Sequence, residues 1–547
     1  MGQVMQDLRE RLKDLFKKKK VIGLSAADSA RLPEFLGDED LKFRFYVGSL
    51  IQRNGNHTVP SLIQATQSGG EEARRSSIYL LGKIGRGRRG QKEPKIVEAI
   101  LRALQDADPK VRRNAAIALG ELRASEGIKQ IAKVVASEPF DWVRPSMILA
   151  LGQIGGEESA RVLAAIESGT PEDTEALTKA RDRTSMATEL ESAPTVLFQQ
   201  PRRIEMRVAP GLEPTLCDEL KTTLSLKSRI VQNGAIALEI EDLGSLDRIR
   251  TFSEWLIPVG VRELADKSDD AVRLAGHDLL ENGMSDLVTL RGGAQGRVRY
   301  RIEVRGRETN HENRRKLIGQ WVRDLDKAFP NTTNSPSHYE AELRLQRSKT
   351  KLTLFVKLMG GQDKRFAYRV ADVPAAMHPA TAAGVARMAR NTGRPSRVLD
   401  PFCGSGTMLF ERSRSGRAVT GLVGCDLSGN AITAARKNLS QFGRSEIEIR
   451  RGDVKTVGHE GRFDEVISNL PYGIRTGSHD QNLVDYKALF DRMPEWLNSG
   501  ASVTLVTQEI EMTKVLFEAS KELRLYDVHR IDTGGLQPGV FVGSFSS

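Results

Sequence analysis

Cysteines and long apolar runs are scarce in this chain, and each shortage excludes a class of protein. Only three cysteines, Cys217, Cys403 and Cys425, occur in 547 residues, and none belongs to a Cys-x-x-Cys pair. Neither a disulfide framework nor a zinc site is therefore expected, and no metal ligand is predicted. No apolar stretch approaches the length of a bilayer span, and none follows the basic N-terminal residues as in a signal peptide. These shortages predict a cytoplasmic protein.

Positive charge, in contrast, is abundant and concentrated in one segment. The chain has a formal net charge of +11, and residues 291–370 alone hold 19 Lys and Arg against 8 Asp and Glu. Such a segment neutralises phosphates and releases their counterions, so we expect it to bind nucleic acid. A basic surface kept for solubility is the alternative, but solubility favours dispersed charge.

The N-terminal third contains an internal repeat. Three amphipathic segments, 73–84, 111–122 and 143–154, align on Gly82, Gly120 and Gly152, and each carries an arginine near its start. A second apolar helix follows such a segment, which is the pattern of a solenoid of helix pairs. The segments resemble HEAT repeats. We therefore predict an α-helical HEAT-like solenoid over residues 1–170, with a protein or RNA partner on its exposed surface.

The periodicity then stops, and the composition changes twice. Residues 171–202 are rich in Thr, Ser, Glu and Asp, which predicts a linker. Strand and helix patterns alternate beyond it, which predicts an α+β region. The stretches 209–213 and 366–369, with the basic strand and helix between them, resemble a ferredoxin-like subdomain followed by a THUMP domain. The resemblance implies a ferredoxin-like subdomain at 203–290 and an RNA-binding THUMP domain at 291–370. Its candidate RNA contacts are Arg314, Arg315, Lys316 and Arg347.

From residue 373 to 547, apolar strands alternate with amphipathic helices, which predicts an open α/β sheet of the Rossmann-like type. Four predicted strands in succession lead into a polar residue: Asp400, Asp426, Asp453 and Asn469. In a doubly wound sheet the loops at these strand ends converge on one crevice. We therefore expect these four side chains to share a site.

The first strand end carries a glycine turn, Asp400-Pro-Phe-Cys-Gly-Ser-Gly-Thr407. Gly404 and Gly406 allow a tight turn from strand to helix, with backbone N–H groups facing a cofactor. Asp426 can accept both ribose hydroxyls of a nucleoside, and Asp453 can accept the amine of its adenine. A dinucleotide-binding oxidoreductase is the rival reading, but its G-x-G-x-x-G pattern is absent. The turn therefore favours S-adenosyl-L-methionine, with Asp400, Phe402, Gly404, Gly406, Thr407, Asp426 and Asp453 as its binding residues.

The fourth strand end carries Asn469-Leu-Pro-Tyr472. An exocyclic amine on a nucleobase is a poor nucleophile because its lone pair is delocalised into the ring. The Asn469 side-chain oxygen and the Leu470 carbonyl can accept its two protons and localise that pair. Tyr472 would stack on the ring, and alignment with the methyl donor supplies much of the rate. Asn469, Leu470, Pro471 and Tyr472 are therefore the predicted catalytic residues.

These motifs resemble those of a known enzyme family. Residues 469–472 resemble the Asn/Asp-Pro-Pro-Tyr signature of amino-methyltransferases, and residues 400–411 resemble the cofactor loop of THUMP-containing RNA guanine-N2 methyltransferases. Leu470 departs from the commoner proline, but only its carbonyl is needed. The Asn-Leu-Pro-Tyr-Gly form is most similar to the tRNA branch, and Met377-His378-Pro379 matches the segment that closes over the cofactor. The resemblance implies N2-methylguanosine formation in the acceptor stem of tRNA, with His378 beside the cofactor. The alternative for His378 is a residue at the start of a helix with no ligand role.

Other functions are compatible with the same motifs. The same chemistry could act on 23S rRNA, and Asn-x-Pro-Tyr also occurs in DNA adenine and cytosine methyltransferases. The chain could instead be a non-catalytic RNA-binding scaffold. Intact polar strand ends argue against the scaffold, and the basic RNA-type module argues against a DNA substrate.

Overall fold

The computed structural model describes residues 2–17, 24–53, 55–87, 94–191, 197–266, 268–290, 298–306, 311–336, 339–358, 363–374, 376–444, 446–458, 461–472 and 479–546. The chain divides into two compact units, residues 1–192 and 193–547. None of the helices in the described ranges is long and apolar enough to cross a membrane.

In the first unit, the secondary structure of the described residues is helical. Its helices are α1 (Gly2–Lys17), α2 (Ala26–Arg31), α3 (Leu41–Arg53), α4 (Gly55–Ser68), α5 (Glu71–Gly87), α6 (Pro94–Ala103), α7 (Pro109–Leu122), α8 (Ile128–Ser137), α9 (Arg144–Ile154), α10 (Gly156–Ala165) and α11 (Pro171–Glu191). Helices α5, α7, α9 and α11 pack one on the next, which is the stacking of a solenoid. The aligned glycines lie at these contacts: a Cβ at Gly152 would lie 2.6 Å from the Ala180 Cα atom. The repeated glycine therefore allows the helices to approach closely.

The repeated arginines join successive repeats. Arg75 pairs with Asp108, Arg112 with Glu138 at 2.6 Å, and Arg144 with Asp173 at 2.8 Å. The carboxylates of Glu138 and Asp173 are fully buried. These arginines therefore stabilise the stack.

The structure differs from the linker predicted over 171–202. Residues 171–191 form helix α11, which packs on α9 and α10. Its Ala176, Leu177 and Ala180 are buried in the solenoid core. The polar composition hid this helix because its buried face includes Asp173 and Thr184 beside the small or apolar residues.

The second unit begins with a mixed sheet. Its elements are β1 (Leu197–Arg207), α12 (Glu213–Leu224), β2 (Ser228–Gln232), β3 (Ala235–Asp242), β4 (Glu254–Glu263), α13 (Asp269–Leu290), β5 (Val298–Arg305), α14 (His311–Ala328), β6 (Thr332–Asn334), β7 (Ala341–Arg347) and β8 (Lys351–Leu358). The eight strands form one sheet in the order β2-β3-β1-β4-β8-β7-β5-β6. Strand β4 pairs with both β1 and β8. Strands from both predicted ranges, 203–290 and 291–370, therefore belong to a single sheet.

The remaining elements form the C-terminal α/β domain. They are α15 (Pro379–Met388), β9 (Ser396–Asp400), α16 (Thr407–Ser413), β10 (Val419–Asp426), α17 (Gly429–Phe442), β11 (Ile447–Arg451), β12 (Phe463–Asn469), α18 (His479–Trp496), β13 (Leu497–Thr507), α19 (Ile510–Ala519), β14 (Leu523–Arg530) and β15 (Gly539–Phe545). The sheet order is β11-β10-β9-β12-β13-β15-β14, with β15 antiparallel to β13 and β14. The predicted α/β sheet is confirmed. Its order reverses between β9 and β12, where a doubly wound sheet opens a crevice.

A buried ion pair joins the central sheet region to the C-terminal domain. Arg250 donates two hydrogen bonds to Glu411 on α16, at 2.6 and 2.9 Å. Tyr368 O–H donates to the same carboxylate at 2.6 Å. Helix α16 directly follows the glycine turn, so this pair fixes the turn relative to the central region.

Candidate active site

A cavity of about 640 Å³ opens at the carboxyl ends of β9, β10, β11 and β12. Strands β9, β10 and β12 end on Asp400, Asp426 and Asn469, and Asp453 follows β11 by two residues. The structure brings together these predicted residues in the lining: Asp400, Phe402, Gly404, Thr407, Asp426, Asp453, Asn469, Leu470, Pro471 and Tyr472. Side chains that are far apart in sequence therefore share one site.

The glycine turn has the backbone that its residues predict. Gly404 and Gly406 have φ values of +54° and +83°, in the left-handed region that favours glycine. Gly404 N–H donates to the Asp426 carboxylate at 2.9 Å, and Cys403 N–H donates to the Cys425 carbonyl at 2.8 Å. These bonds fasten the turn to β10. Gly406 shapes the turn without lining the cavity.

Asp400 is a buried residue of the cavity lining. Its Oδ1 atom accepts a hydrogen bond from Ser468 Oγ at 2.5 Å and another from Phe402 N–H at 3.1 Å. Burial raises the pKa of Asp400 to about 7, although these bonds oppose the rise. The carboxyl group therefore changes charge near neutral pH.

The other two carboxylates of the cavity, Asp426 and Asp453, are half-buried. Asp426 accepts backbone hydrogen bonds from Gly404 at 2.9 Å and Ser428 at 2.8 Å, and burial raises its pKa. Asp453 accepts one from Lys455 N–H at 2.9 Å. Backbone donors orient both carboxylates, and each retains acceptor capacity for a ligand's hydroxyl or amine.

The segment 469–472 is held by hydrogen bonds within the domain. Tyr472 O–H donates to the Asn469 side-chain oxygen at 2.7 Å, and Leu470 N–H donates to the Val506 carbonyl at 2.9 Å. The Pro471 carbonyl accepts from Tyr486 O–H at 2.7 Å. The Asn469 oxygen keeps a second lone pair for a ligand. Gly473, the last residue of the motif, lies outside the described residues.

A second cavity, of about 480 Å³, adjoins the first. Both are lined by Ala376, Met377, Asn469 and Tyr472. Asn469 and Tyr472 therefore stand at the boundary between two spaces, one of which contains the glycine turn and its carboxylates.

His378 lies in this second cavity and is absent from the lining of the first. Its Nδ1 atom accepts a hydrogen bond from Ala380 N–H at 3.2 Å, which caps α15. Burial lowers its pKa, so the ring is neutral at pH 7. Its place beside the cofactor, which the sequence resemblance implies, stays a prediction, whereas its role at the start of α15 is a helix cap.

The four candidate RNA contacts are placed differently from one another. Arg315 and Lys316 are exposed on α14. Arg314 donates to Glu303 at 2.8 Å, and Arg347 is only 7% exposed. The burial of Arg347 leaves little of its side chain accessible to RNA.

Sequence reasoning missed several residues of the site. Gln481, Asn482 and Asp485 on α18 line the first cavity, and Ser468 holds Asp400. Buried Asn438 on α17 bonds the backbone of Ala371 and Ser405, which fastens the segment before α15 to the glycine turn. The i, i+1, i+4 spacing on α18 was the available signal, since it places three polar side chains on one helical face.

Comparison with known families agrees with the two units. Residues 367–538 match the family described as RMKL-like, methyltransferase domain. Residues 97–181 match the family of HEAT repeats. The matched range includes the first half of α11. The predicted HEAT-like repeat is confirmed over this range.

Two curated relatives are RNA-modifying enzymes by name. A tRNA (guanine(10)-N2)-dimethyltransferase of Methanothermobacter thermautotrophicus is 31% identical over 112 residues, or 20% of this chain and 32% of that protein. A ribosomal RNA large subunit methyltransferase K/L of Shewanella baltica is 24% identical over 248 residues, or 38% of this chain and 35% of that protein. The chain spans about a third of the length of these relatives.

A solved structure has the same fold over most of the chain. The protein SMU.472, in complex with S-adenosylhomocysteine, has a TM-score of 0.50 at 15% identity, and the match covers 64% of this chain and 99% of that protein. Residues 367–538 are therefore similar to a methyltransferase domain, and the match supports S-adenosyl-L-methionine as the cofactor that the glycine turn predicts.

Proposed function

We propose that this protein transfers a methyl group from S-adenosyl-L-methionine to the exocyclic N2 amine of a guanosine in the acceptor stem of tRNA. The observation that carries the proposal is the meeting of two cavities at Asn469 and Tyr472. The first holds the glycine turn and the nucleoside-binding carboxylates. The second is open for a base. A methyl donor in one and an amine in the other would meet at the Asn-Leu-Pro-Tyr segment.

The residues of the first cavity fit the cofactor. The Asp426 and Asp453 carboxylates would accept from its ribose hydroxyls and its adenine amine, and the turn at Gly404 would approach its amino-acid end. The volume of about 640 Å³ is ample for a nucleoside-sized molecule. When bound, the cofactor supplies a sulfonium methyl group that is already electrophilic.

The residues at the boundary fit an aromatic amine. Asn469 Oδ1 holds one bond from Tyr472 and can accept another from the amine, and the Leu470 carbonyl provides the second acceptor. Two acceptors localise the lone pair of the nitrogen, which makes it a better nucleophile. The Tyr472 ring provides a face on which a base can stack. Because Leu470 and Pro471 are tied to Val506 and Tyr486, the acceptors are oriented before the substrate arrives.

The central region would deliver the RNA. Strand β5 and helix α14 carry the exposed basic residues Arg305, Arg315 and Lys316. Positive charge on one strand and the neighbouring helix suits contact with phosphates along a stem. We infer a THUMP-type role for this region from its charge and from the resemblance of its sequence.

A large-subunit rRNA is the second candidate substrate. Its support is the rRNA-modifying relative, whose match covers 38% of this chain, against 20% for the tRNA-modifying relative.

The HEAT-like unit could also hold a different partner. The ion-paired arginines of its repeats are used between repeats, so any RNA contact there would need other residues.

Labelled methyl transfer tests the proposal. The full chain is incubated with labelled S-adenosyl-L-methionine and either total tRNA or naked 23S rRNA, and the label is mapped to a nucleotide. We expect label at an acceptor-stem guanosine. Label in rRNA alone would favour the second candidate, and RNA binding without transfer would indicate the non-catalytic scaffold.

The variant Asn469→Ala tests whether the Asn469 side-chain oxygen takes part in methyl transfer. Turnover should fall by roughly two orders of magnitude or more, because one oriented acceptor is lost. Cofactor affinity, measured by calorimetry, should stay close to that of the wild type. Asn469→Asp keeps an acceptor oxygen and should retain more activity than Asn469→Ala. Unchanged turnover in Asn469→Ala would remove Asn469 from the mechanism.

A further inference from the structure

The second cavity is built from both parts of the second unit. Val208, Ala209 and Ser253 come from the central region, whereas His378, Thr381 and Asp532 come from the C-terminal domain. Ser253 is fixed by its N–H bond to the Arg207 carbonyl at 2.8 Å. The space beside Asn469 and Tyr472 is therefore a composite pocket.

The two walls of this pocket are held in tight contact. Asp532 N–H donates to the Pro210 carbonyl at 2.9 Å. Gly211 has a φ of +96°, and a Cβ there would lie 2.2 Å from the Arg530 carbonyl oxygen. Only glycine permits this approach. The Ala-Pro-Gly-Leu-Glu stretch at 209–213 thus serves to dock the central region on the turn between β14 and β15.

Asp532 is the only acidic residue among the described residues that line the composite pocket. Its Oδ1 atom accepts from Gly534 N–H at 2.8 Å and from Gly535 N–H at 3.3 Å. These backbone bonds, with a side-chain bond from Gln537, lower its pKa, so the group is ionised at neutral pH. A carboxylate has about four lone-pair sites, so it can accept a further bond from a ligand.

A carboxylate in this position distinguishes purines by one proton. Guanine presents N1–H as a donor beside its N2 amine. Adenine and 2,6-diaminopurine present a bare acceptor at N1, which a carboxylate would repel. With the N2 amine held at Asn469 and Leu470, the adjacent N1–H needs its own acceptor in the same cavity.

We propose that the composite pocket receives the target base and that Asp532 determines specificity by accepting the N1–H of guanine. This inference rests on the proposed function and adds the residue that selects the base. Asn469 and Leu470 orient the amine that reacts, whereas Asp532 excludes purines that carry a lone pair at N1. The central region contributes one wall, so selection of the base and docking of the two parts are linked.

A base-swap experiment tests the role of Asp532. The guanosine that the labelling experiment maps is replaced by 2,6-diaminopurine in a synthetic RNA, which keeps the N2 amine and removes the N1 proton. The wild type should methylate the guanosine RNA far better than the replaced RNA. Asp532→Asn should lower kcat/KM on guanosine by about 10- to 100-fold. It should also improve relative activity on 2,6-diaminopurine, because the amide nitrogen takes the place of the second carboxylate oxygen and can donate to N1.

Controls separate this role from a structural one. Asparagine can keep the turn, since its side-chain oxygen accepts the same backbone bonds. Asp527→Asn alters an exposed acid on β14 that is paired with His529, outside the pocket, and should leave both activities unchanged. Calorimetric affinity for S-adenosylhomocysteine should be equal in all three proteins.

The outcomes are distinguishable. A parallel fall on both RNAs in Asp532→Asn, or an unchanged ratio between them, would overturn the role of Asp532 and leave the proposed function in place. Absence of N2 methylation of guanosine by the wild type would overturn the proposed function and this assignment together. A shifted ratio with unchanged cofactor affinity is the result we expect.

Discussion

Single residues at the strand ends set the chemistry of this site, and Asp400 shows how burial does so. Its position after an apolar strand could be predicted from sequence, and so could its place in the crevice. Its protonation could not be predicted, because the pKa depends on the burial of the carboxyl group and on its hydrogen bonds with Ser468 and Phe402. Those neighbours are known only once the sheet is assembled.

The raised pKa of Asp400 predicts a pH-dependent affinity for the methyl donor. The carboxyl group is neutral below its pKa of about 7 and ionised above it. The sulfonium of S-adenosyl-L-methionine is positive, so its affinity should rise as pH increases through that value. Calorimetric titration across this range checks the prediction.

S-Adenosylhomocysteine, whose sulfur is neutral, provides the matched ligand and should show a weaker pH dependence. The Asp400→Asn variant should flatten the profile of the methyl donor. An equal slope in wild type and variant would show that Asp400 is not the titrating group.

At the scale of elements, the strand ends that line the site were easier to predict than helix α11 and the last two strands. Apolar strands followed by Asp400, Asp426 and Asn469 gave correct positions, because a strand core and its polar end leave a local pattern. The sequence patterns did not predict helix α11 or strands β14 and β15. Helix α11 buries only a narrow stripe, and β14 is a largely exposed edge strand whose residues have no clear alternation.

The glycine turn provides an element-scale prediction. Gly406 has a φ of +83°, and a Cβ there would also lie 2.7 Å from the Phe410 ring. Gly406→Ala should therefore lower the free energy of unfolding by more than the ~1 kcal/mol expected from backbone strain alone, and should weaken cofactor binding. Chemical denaturation and calorimetry measure the two effects.

Gly416→Ala is the control for the turn. Gly416 has a similar φ of +82°, and a Cβ there would have no atom within 4 Å. It should show the backbone strain with unchanged cofactor affinity. Equal effects of the two variants on affinity would contradict the special role of the turn.

At the scale of the whole second unit, buried contacts join the central sheet to the C-terminal domain. The sequence indicated an RNA-binding region and a catalytic domain, each from its own pattern. Their junction was not predictable, because Arg250 and Glu411 are 161 positions apart and meet only in the folded protein. The composite pocket around Asp532 was not predictable either, because its lining residues are far apart in the sequence.

The junction predicts a large stability effect from a small change. Glu411→Gln removes the negative charge opposite Arg250, and both residues are buried. Breaking a buried pair on one side leaves an uncompensated charge, so the free energy of unfolding should fall by about 3 kcal/mol or more. Denaturant unfolding checks this value.

Glu446→Gln breaks a partly exposed pair with Arg444 and should cost at most about 1 kcal/mol. Similar losses for the two variants would show that the Arg250–Glu411 pair does not stabilise the junction.

The central claim is that a guanine N2 amine is held at Asn469 and Tyr472 against an activated methyl donor. Mass spectrometry of nucleosides from tRNA treated with the full chain and S-adenosyl-L-methionine tests it most directly. The account predicts N2-methylguanosine in the wild-type reaction and at most traces with Asn469→Ala. Methylation of a different base or atom, or equal N2-methylguanosine from both proteins, would contradict it.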